Sequence, residues 1–190
     1  MRLVTTRGQH HTGKASRLAK PPQGGVTLIE LLVALAVLVI TITWAVPSFQ
    51  QFSARNEVAA EVLRIKTALS IARNTAIARR TKITVCSSTG PLYETCDFDD
   101  WSHDWVIVEG KVTGGRLTGH TILRQLKSMD GVTASFSRND RPVQYGELGR
   151  TTGYNGTFSL CGHGDAGAQV VVSNFGRVRV ETTQPSCPDT

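Results

Sequence analysis

From Val26 to Val46 the chain is apolar for 21 positions, interrupted only by three threonines and one charge, Glu30. As a helix this run spans roughly 31 Å at 1.5 Å per residue, which matches a bilayer core of about 30 Å. Pro47 follows and is expected to bend the helix without ending it. Beyond it Val58, Val62, Ile65, Leu69, Ala72 and Ala76 recur at steps of three and four, while Arg55, Glu61, Lys66, Arg73 and Arg80 lie largely off that stripe. The pattern predicts one helix over 26–80, its first half in lipid (26–46) and its second half packed on a domain.

After Arg80 the helical period gives way to short β-type runs: 81–87, 105–109, 121–126, 132–137, 157–161, 169–173 and 177–181. Turns rich in Gly, Asp and Asn separate them, as an antiparallel sheet requires. No second helix and no internal repeat is evident. The predicted fold class is α+β, a long N-terminal helix packed on an antiparallel β domain over 81–190.

Charge changes the picture at the N-terminus. The formal net charge of +6 suggests a polyanion partner, but Arg2, Arg7, Lys14, Arg17 and Lys20 all precede Gly25 with no acid among them. Without those five, 16 basic residues face 15 acidic ones, a charge of +1. Only a local basic patch could then argue for nucleic acid. The positive flank predicts that the N-terminal side stays in the cytoplasm and the rest is exported. A conventional signal peptide fits poorly, because its small-residue cleavage site should follow the apolar run, and the glycines here precede it. Residues 8–14 read G-x-x-x-x-G-K, but Ala15 stands where a phosphate-binding loop needs Ser or Thr, and no strand precedes it.

The four cysteines, Cys86, Cys96, Cys161 and Cys187, lie downstream of the apolar segment. Export makes disulfides the expectation, with three pairings possible. Proximity favours Cys86–Cys96, leaving Cys161–Cys187. A zinc site using Cys161, His163 and His103 is the competing idea, but no Cys-x-x-Cys pair is present and the spacings suit no familiar zinc module. No metal and no cofactor is expected.

A charge inside a membrane-length segment is expensive and usually signals function. Residues 25–32, Gly-Val-Thr-Leu-Ile-Glu-Leu-Leu, preceded by a basic leader and followed by the apolar run, resemble the class III signal of type IV prepilins and type II secretion pseudopilins. The resemblance implies that residues 1–25 are a leader, that a prepilin peptidase cuts between Gly25 and Val26, and that it methylates the new amine. Pro47 falls where such proteins commonly carry a helix-bending proline. Val26 replaces the more usual Phe, and the leader is long. Glu30 would pair with the positive N-terminus of a neighbouring subunit. In lipid each charge lowers the cost of burying the other, so the pair would act as a register device. The alternative is a Glu30 that only snorkels to the interface.

At the other end, residues 169–181 read as two strands joined by a tight turn at Asn174-Phe175-Gly176. Side chains alternate along a strand, so Val178 and Val180 would face a core and Arg177 and Arg179 solvent. This ending, with the helix–β order and residues 135–137 and 156–158 before it, resembles the GspH/FimT family of minor pseudopilins. In the FimT branch a Gly-Arg-x-Arg motif is associated with DNA binding during natural transformation, and Gly176-Arg177-Val178-Arg179 matches it. Guanidiniums suit phosphates, and contacts of this kind hold a nucleic-acid backbone without reading sequence. Two arginines on a solvent-facing strand also need no ligand, and Glu181 could pair with one of them. Lys111, Arg116 and Arg150 could widen the patch. The acidic stretch 94–104, with five carboxylates, reads as a solvated loop closed by Cys86–Cys96 in preference to a calcium loop.

Enzyme readings find little support. Residues 162–167 fit G-x-G-x-x-G, yet a β run follows in place of the required helix. No G-x-S-x-G or H-E-x-x-H is present. The expectation is therefore a minor pilin of the inner membrane with a periplasmic β domain. Its partners would be a prepilin peptidase, other pilins and double-stranded DNA. The alternative is a type II secretion pseudopilin acting through protein contacts alone.

Overall fold

The computed structural model describes residues 25–181 and 183–187. The expected leader and its G-x-x-x-x-G-K segment fall outside them, apart from Gly25. The chain divides into two compact units, 1–41 and 42–190. A single helix, α1 (Leu28–Arg79), enters both and continues through Pro47. In the first unit every described residue is exposed, and the helix is long and apolar enough to cross a membrane.

The start of α1 has a local explanation that the sequence reading missed. Thr27 Oγ1 accepts the Glu30 amide at 3.3 Å, and Thr27-Leu28-Ile29-Glu30 has the Ser/Thr-x-x-Glu spacing of a capping box. A carboxylate in the first turn also favours the helix dipole. Glu30 therefore stands where a helix start wants an acid, whatever else it meets.

In the second unit the helix buries Ala54, Val58, Ile65, Ala68, Leu69, Ala72 and Ala76; this is the predicted stripe with Ala54 and Ala68 added, and with Val62 only partly buried. Among the described residues nine antiparallel strands follow: β1 (Ile83–Ser88), β2 (Cys96–Asp97), β3 (Asp104–Glu109), β4 (Ile122–Leu126), β5 (Thr133–Phe136), β6 (Val143–Tyr145), β7 (Gly156–Cys161), β8 (Gly167–Val172) and β9 (Val178–Glu181). They form two sheets. One runs β2-β1-β3-β4 with β6 also on β1, and the other runs β5-β7-β8-β9. Seven strands coincide with predicted runs to within two residues at either end. The two unpredicted ones, β2 and β6, have two and three residues, and β6 is buried throughout, so neither shows alternation.

An aromatic cluster joins the sheets. Trp101 and Trp105 meet edge-on at 5.1 Å between centroids, and both reach Phe158, which packs on Phe136 at 4.4 Å. The indole N–H groups donate to the carbonyls of Phe98 and Trp101, so these rings are buried without stranding a donor. Disulfides join Cys86 to Cys96 and Cys161 to Cys187. The first closes the acidic stretch, and the second fastens the C-terminal segment to the end of β7.

Three of the five carboxylates in the acidic stretch are held by partners within the fold. Asp97 accepts the amides of Asp99 and Asp100, Asp97 and Asp100 flank His103, and Asp104 accepts from Tyr93 and Ser128. Among the described residues no group of three His, Cys, Asp or Glu side chains is placed to share a metal ion.

Candidate nucleic-acid interface

The hairpin between β8 and β9 is built around one glycine. Ser173 to Gly176 forms a turn closed by the Gly176 amide on the Ser173 carbonyl at 2.8 Å, and Ser173 in turn donates to Arg177 O at 2.9 Å. Gly176 has φ +74° and is buried, and a Cβ there would lie 2.0 Å from the Gly149 carbonyl oxygen. Gly149, at φ +69°, closes the turn that follows β6, its amide on Gly146 O. The two turns are tied together by Thr151, which donates its amide to Asn174 O and its hydroxyl to Ser173 O. Gly176 is therefore fully accounted for by contact with the neighbouring turn, independently of any ligand.

This close approach gathers arginines from three parts of the chain. Arg73, on α1, donates its Nε to Gly149 O at 3.1 Å. Arg150 follows the same turn, and Arg177 begins the return from the hairpin. Together with Leu148 and Phe175 they line a cavity of about 370 Å³ with no carboxylate in its wall. Arg150 lies over the Phe175 ring, 5.4 Å from its centroid.

Arg179 has a different setting. Its guanidinium pairs with Glu181 at 2.8 Å, on the same face of β9, so the alternative reading of this arginine has a direct structural basis. The valines between also differ from expectation. Val178 is half-buried and Val180 is 43% exposed, because β9 is the edge strand of its sheet and has no neighbour beyond it among the described residues. Of the other basic candidates, Lys111 shares a second cavity with Arg150. Arg116 bridges to Thr95 and so belongs to the acidic stretch, away from this group. Residues 162–166 are the turn joining β7 to β8, closed by the Gly162 amide on Ala166 O, and Gly167 already belongs to β8.

Sequence reasoning did not find Arg73, Leu148 or the ring of Phe175. The one available signal for Arg73 was its place next to Ala72 on the flank of the buried stripe. Nothing local in 146–150 marks that turn as the partner of residue 176.

With this geometry in place, comparison with known proteins identifies the lineage. Residues 61–176, well over half of the chain, match the family described as type II transport protein GspH. The chain belongs to the GspH family. Residues 20–46 match the prokaryotic N-terminal methylation motif. The second unit and helix are thus those of a minor pilin or pseudopilin, a class of membrane-anchored filament subunits.

Among solved structures, the type IV minor pilin FimU of Pseudomonas aeruginosa aligns with a TM-score of 0.57 at 22% identity, over 71% of this chain and 97% of that one. A second crystal form of FimU aligns at 0.54 and 20%, over 67% and 97%. The minor pseudopilin EpsH of the Vibrio cholerae type 2 secretion system aligns at 0.46 and 14%, over 66% and 96%. The FimU likeness establishes the pilin-like fold. A search of curated protein sequences returned no match.

Proposed function

We propose that this GspH-family chain is a minor pilin of a type IV pilus that holds DNA through Arg177, Arg150 and Arg73. One observation carries the reading: three guanidiniums from distant parts of the chain line one cavity that contains no carboxylate. Guanidinium groups hold phosphates through paired N–H donors, so such a cluster suits a polyanion backbone. Arg179 contributes less than the motif alone suggests, because Glu181 offsets its charge.

The N-terminal chemistry supports filament entry. The methylation motif covers the expected cut between Gly25 and Val26, and both residues are exposed. After cleavage the amine of Val26 lies four residues from Glu30, and in the filament it meets the Glu30 carboxylate of a neighbour. The leader side stays cytoplasmic and the β domain becomes periplasmic.

A titration of the full-length chain in detergent with duplex DNA at several salt concentrations tests the DNA assignment. Each neutralised phosphate contributes about 0.9 to the slope of log K against log salt. Arg177→Ala is expected to flatten the slope by about that amount, and the triple replacement of Arg73, Arg150 and Arg177 by about 2.7. Arg179→Ala should change it less than Arg177→Ala does. An unchanged slope in the triple variant removes the cluster from the site.

The second reading is a type II secretion pseudopilin acting by protein contacts. The exposed apolar side chains beside the arginines favour it, since Arg and aromatic residues are enriched in protein interfaces. Absence of DNA binding even at low salt would decide for it.

A further inference from the structure

The cation-lined surface does not end at Arg150. A second cavity of about 410 Å³ shares Leu148 and Arg150 with the first and adds Lys82, at the entry to β1, and Lys111, just after β3. Glu147 is the one carboxylate in its wall. Cations thus recur along a track, with Arg73 and Arg177 at one end, Arg150 in the middle, and Lys82 and Lys111 at the other.

Set into this track are two apolar side chains that the fold leaves uncovered, Phe175 at 58% exposure and Leu148 at 80%. A duplex offers the track only sugars and phosphates, with its bases stacked inside, and would bring charge against both apolar groups. An unpaired strand offers a phosphate and an aromatic face at every nucleotide. Grooves that bind such strands combine cations along the backbone with aromatic rings on which bases stack. Guanidinium planes stack on bases too, and Arg150 already sits over the Phe175 ring.

We infer that the ligand of this surface is an unpaired stretch of DNA strand, its phosphates held by the cations on either side and one base stacked on Phe175 against Leu148. The inference rests on the polyanion reading above and adds to it the strandedness of the DNA. Lys82 and Lys111 become its second phosphate seat.

The test is fluorescence anisotropy of the full-length chain in detergent with three labelled probes of about 12 nucleotides. These are oligothymidine, the same sugar–phosphate chain without bases, and a duplex. The wild-type chain should bind oligothymidine at least about fivefold tighter than the abasic probe, and tighter than the duplex. Phe175→Ala should erase the preference over the abasic probe, and Phe175→Trp should keep it. Arg177→Ala should weaken all three.

Equal binding of oligothymidine and the abasic probe, or a preference that survives Phe175→Ala, overturns the inference. So does a duplex bound as tightly as the single strand. In those cases an Arg177-dependent salt slope would leave the polyanion reading standing alone. If no probe binds at low salt, both fall. If Phe175→Ala impairs only filament incorporation, Phe175 is a subunit contact and the inference is overturned.

Discussion

Gly176 opens the Gly-Arg-x-Arg motif, and replacing it with alanine separates architecture from ligand binding. The added Cβ would lie 2.0 Å from the Gly149 carbonyl oxygen, where carbon–oxygen contacts normally stand at about 3.3 Å or more. The two turns would have to part by about 1.3 Å. The hydrogen bonds that tie them run from Thr151 to Asn174 O at 3.0 Å and to Ser173 O at 2.7 Å. Losing both costs about 2 kcal/mol, at ~1 each. Holding alanine at φ +74° adds ~1–2 kcal/mol. The expected destabilisation is about 3–4 kcal/mol.

Urea unfolding of the full-length chain, followed by fluorescence of the buried Trp101 and Trp105, measures it. With a slope of ~1–3 kcal/mol per molar urea, the Gly176→Ala midpoint should fall by ~1 M or more. Arg177→Ala, at an exposed position, should stay within ~0.5 kcal/mol of wild type. A Gly176→Ala midpoint equal to wild type would refute the claim that this glycine is fixed by the Gly149 turn.

Asp104 supplies a pH prediction. Burial pushes its carboxyl up, but the Tyr93 hydroxyl, the Ser128 amide and the Lys127 ammonium outweigh that and hold it below the usual carboxylate range. Its folded value is depressed, so its stabilisation is complete above the unfolded value of about 3.9 and is lost as pH falls through the folded one. Asp104→Asn should be less stable at neutral pH and should lose part of the acid-side decline, measured by melting temperature against pH. For Glu30 two variants separate charge from capping. Glu30→Gln keeps the capping-box geometry and removes the charge, so it should abolish incorporation into sheared filaments as thoroughly as Glu30→Ala. Normal incorporation of the Gln variant would reduce Glu30 to a helix cap.

Particular residues show how far local pattern reaches. The spacing of Val58, Ile65, Leu69, Ala72 and Ala76 placed the buried face of α1, because helical periodicity is a property of neighbours three and four apart. Alternation located seven strands for the same reason. It misjudged Val180, since an edge strand and a central strand can share one pattern and only the sheet order distinguishes them. It also missed β6, which is buried on both faces and so has no alternation to read.

The sequence by itself determined that a bilayer-length apolar helix begins just after a basic stretch, with Glu30 in its first turn, and that an antiparallel β domain follows. These follow from composition and short-range period, which need no knowledge of distant contacts. Only the tertiary structure decided which arginines stand together. Arg73 and Arg177 stand about a hundred positions apart and line one cavity because two glycine turns interlock, while Arg179, two residues from Arg177, is claimed by Glu181. Proximity of that kind depends on how the chain closes on itself, and no window of sequence contains it.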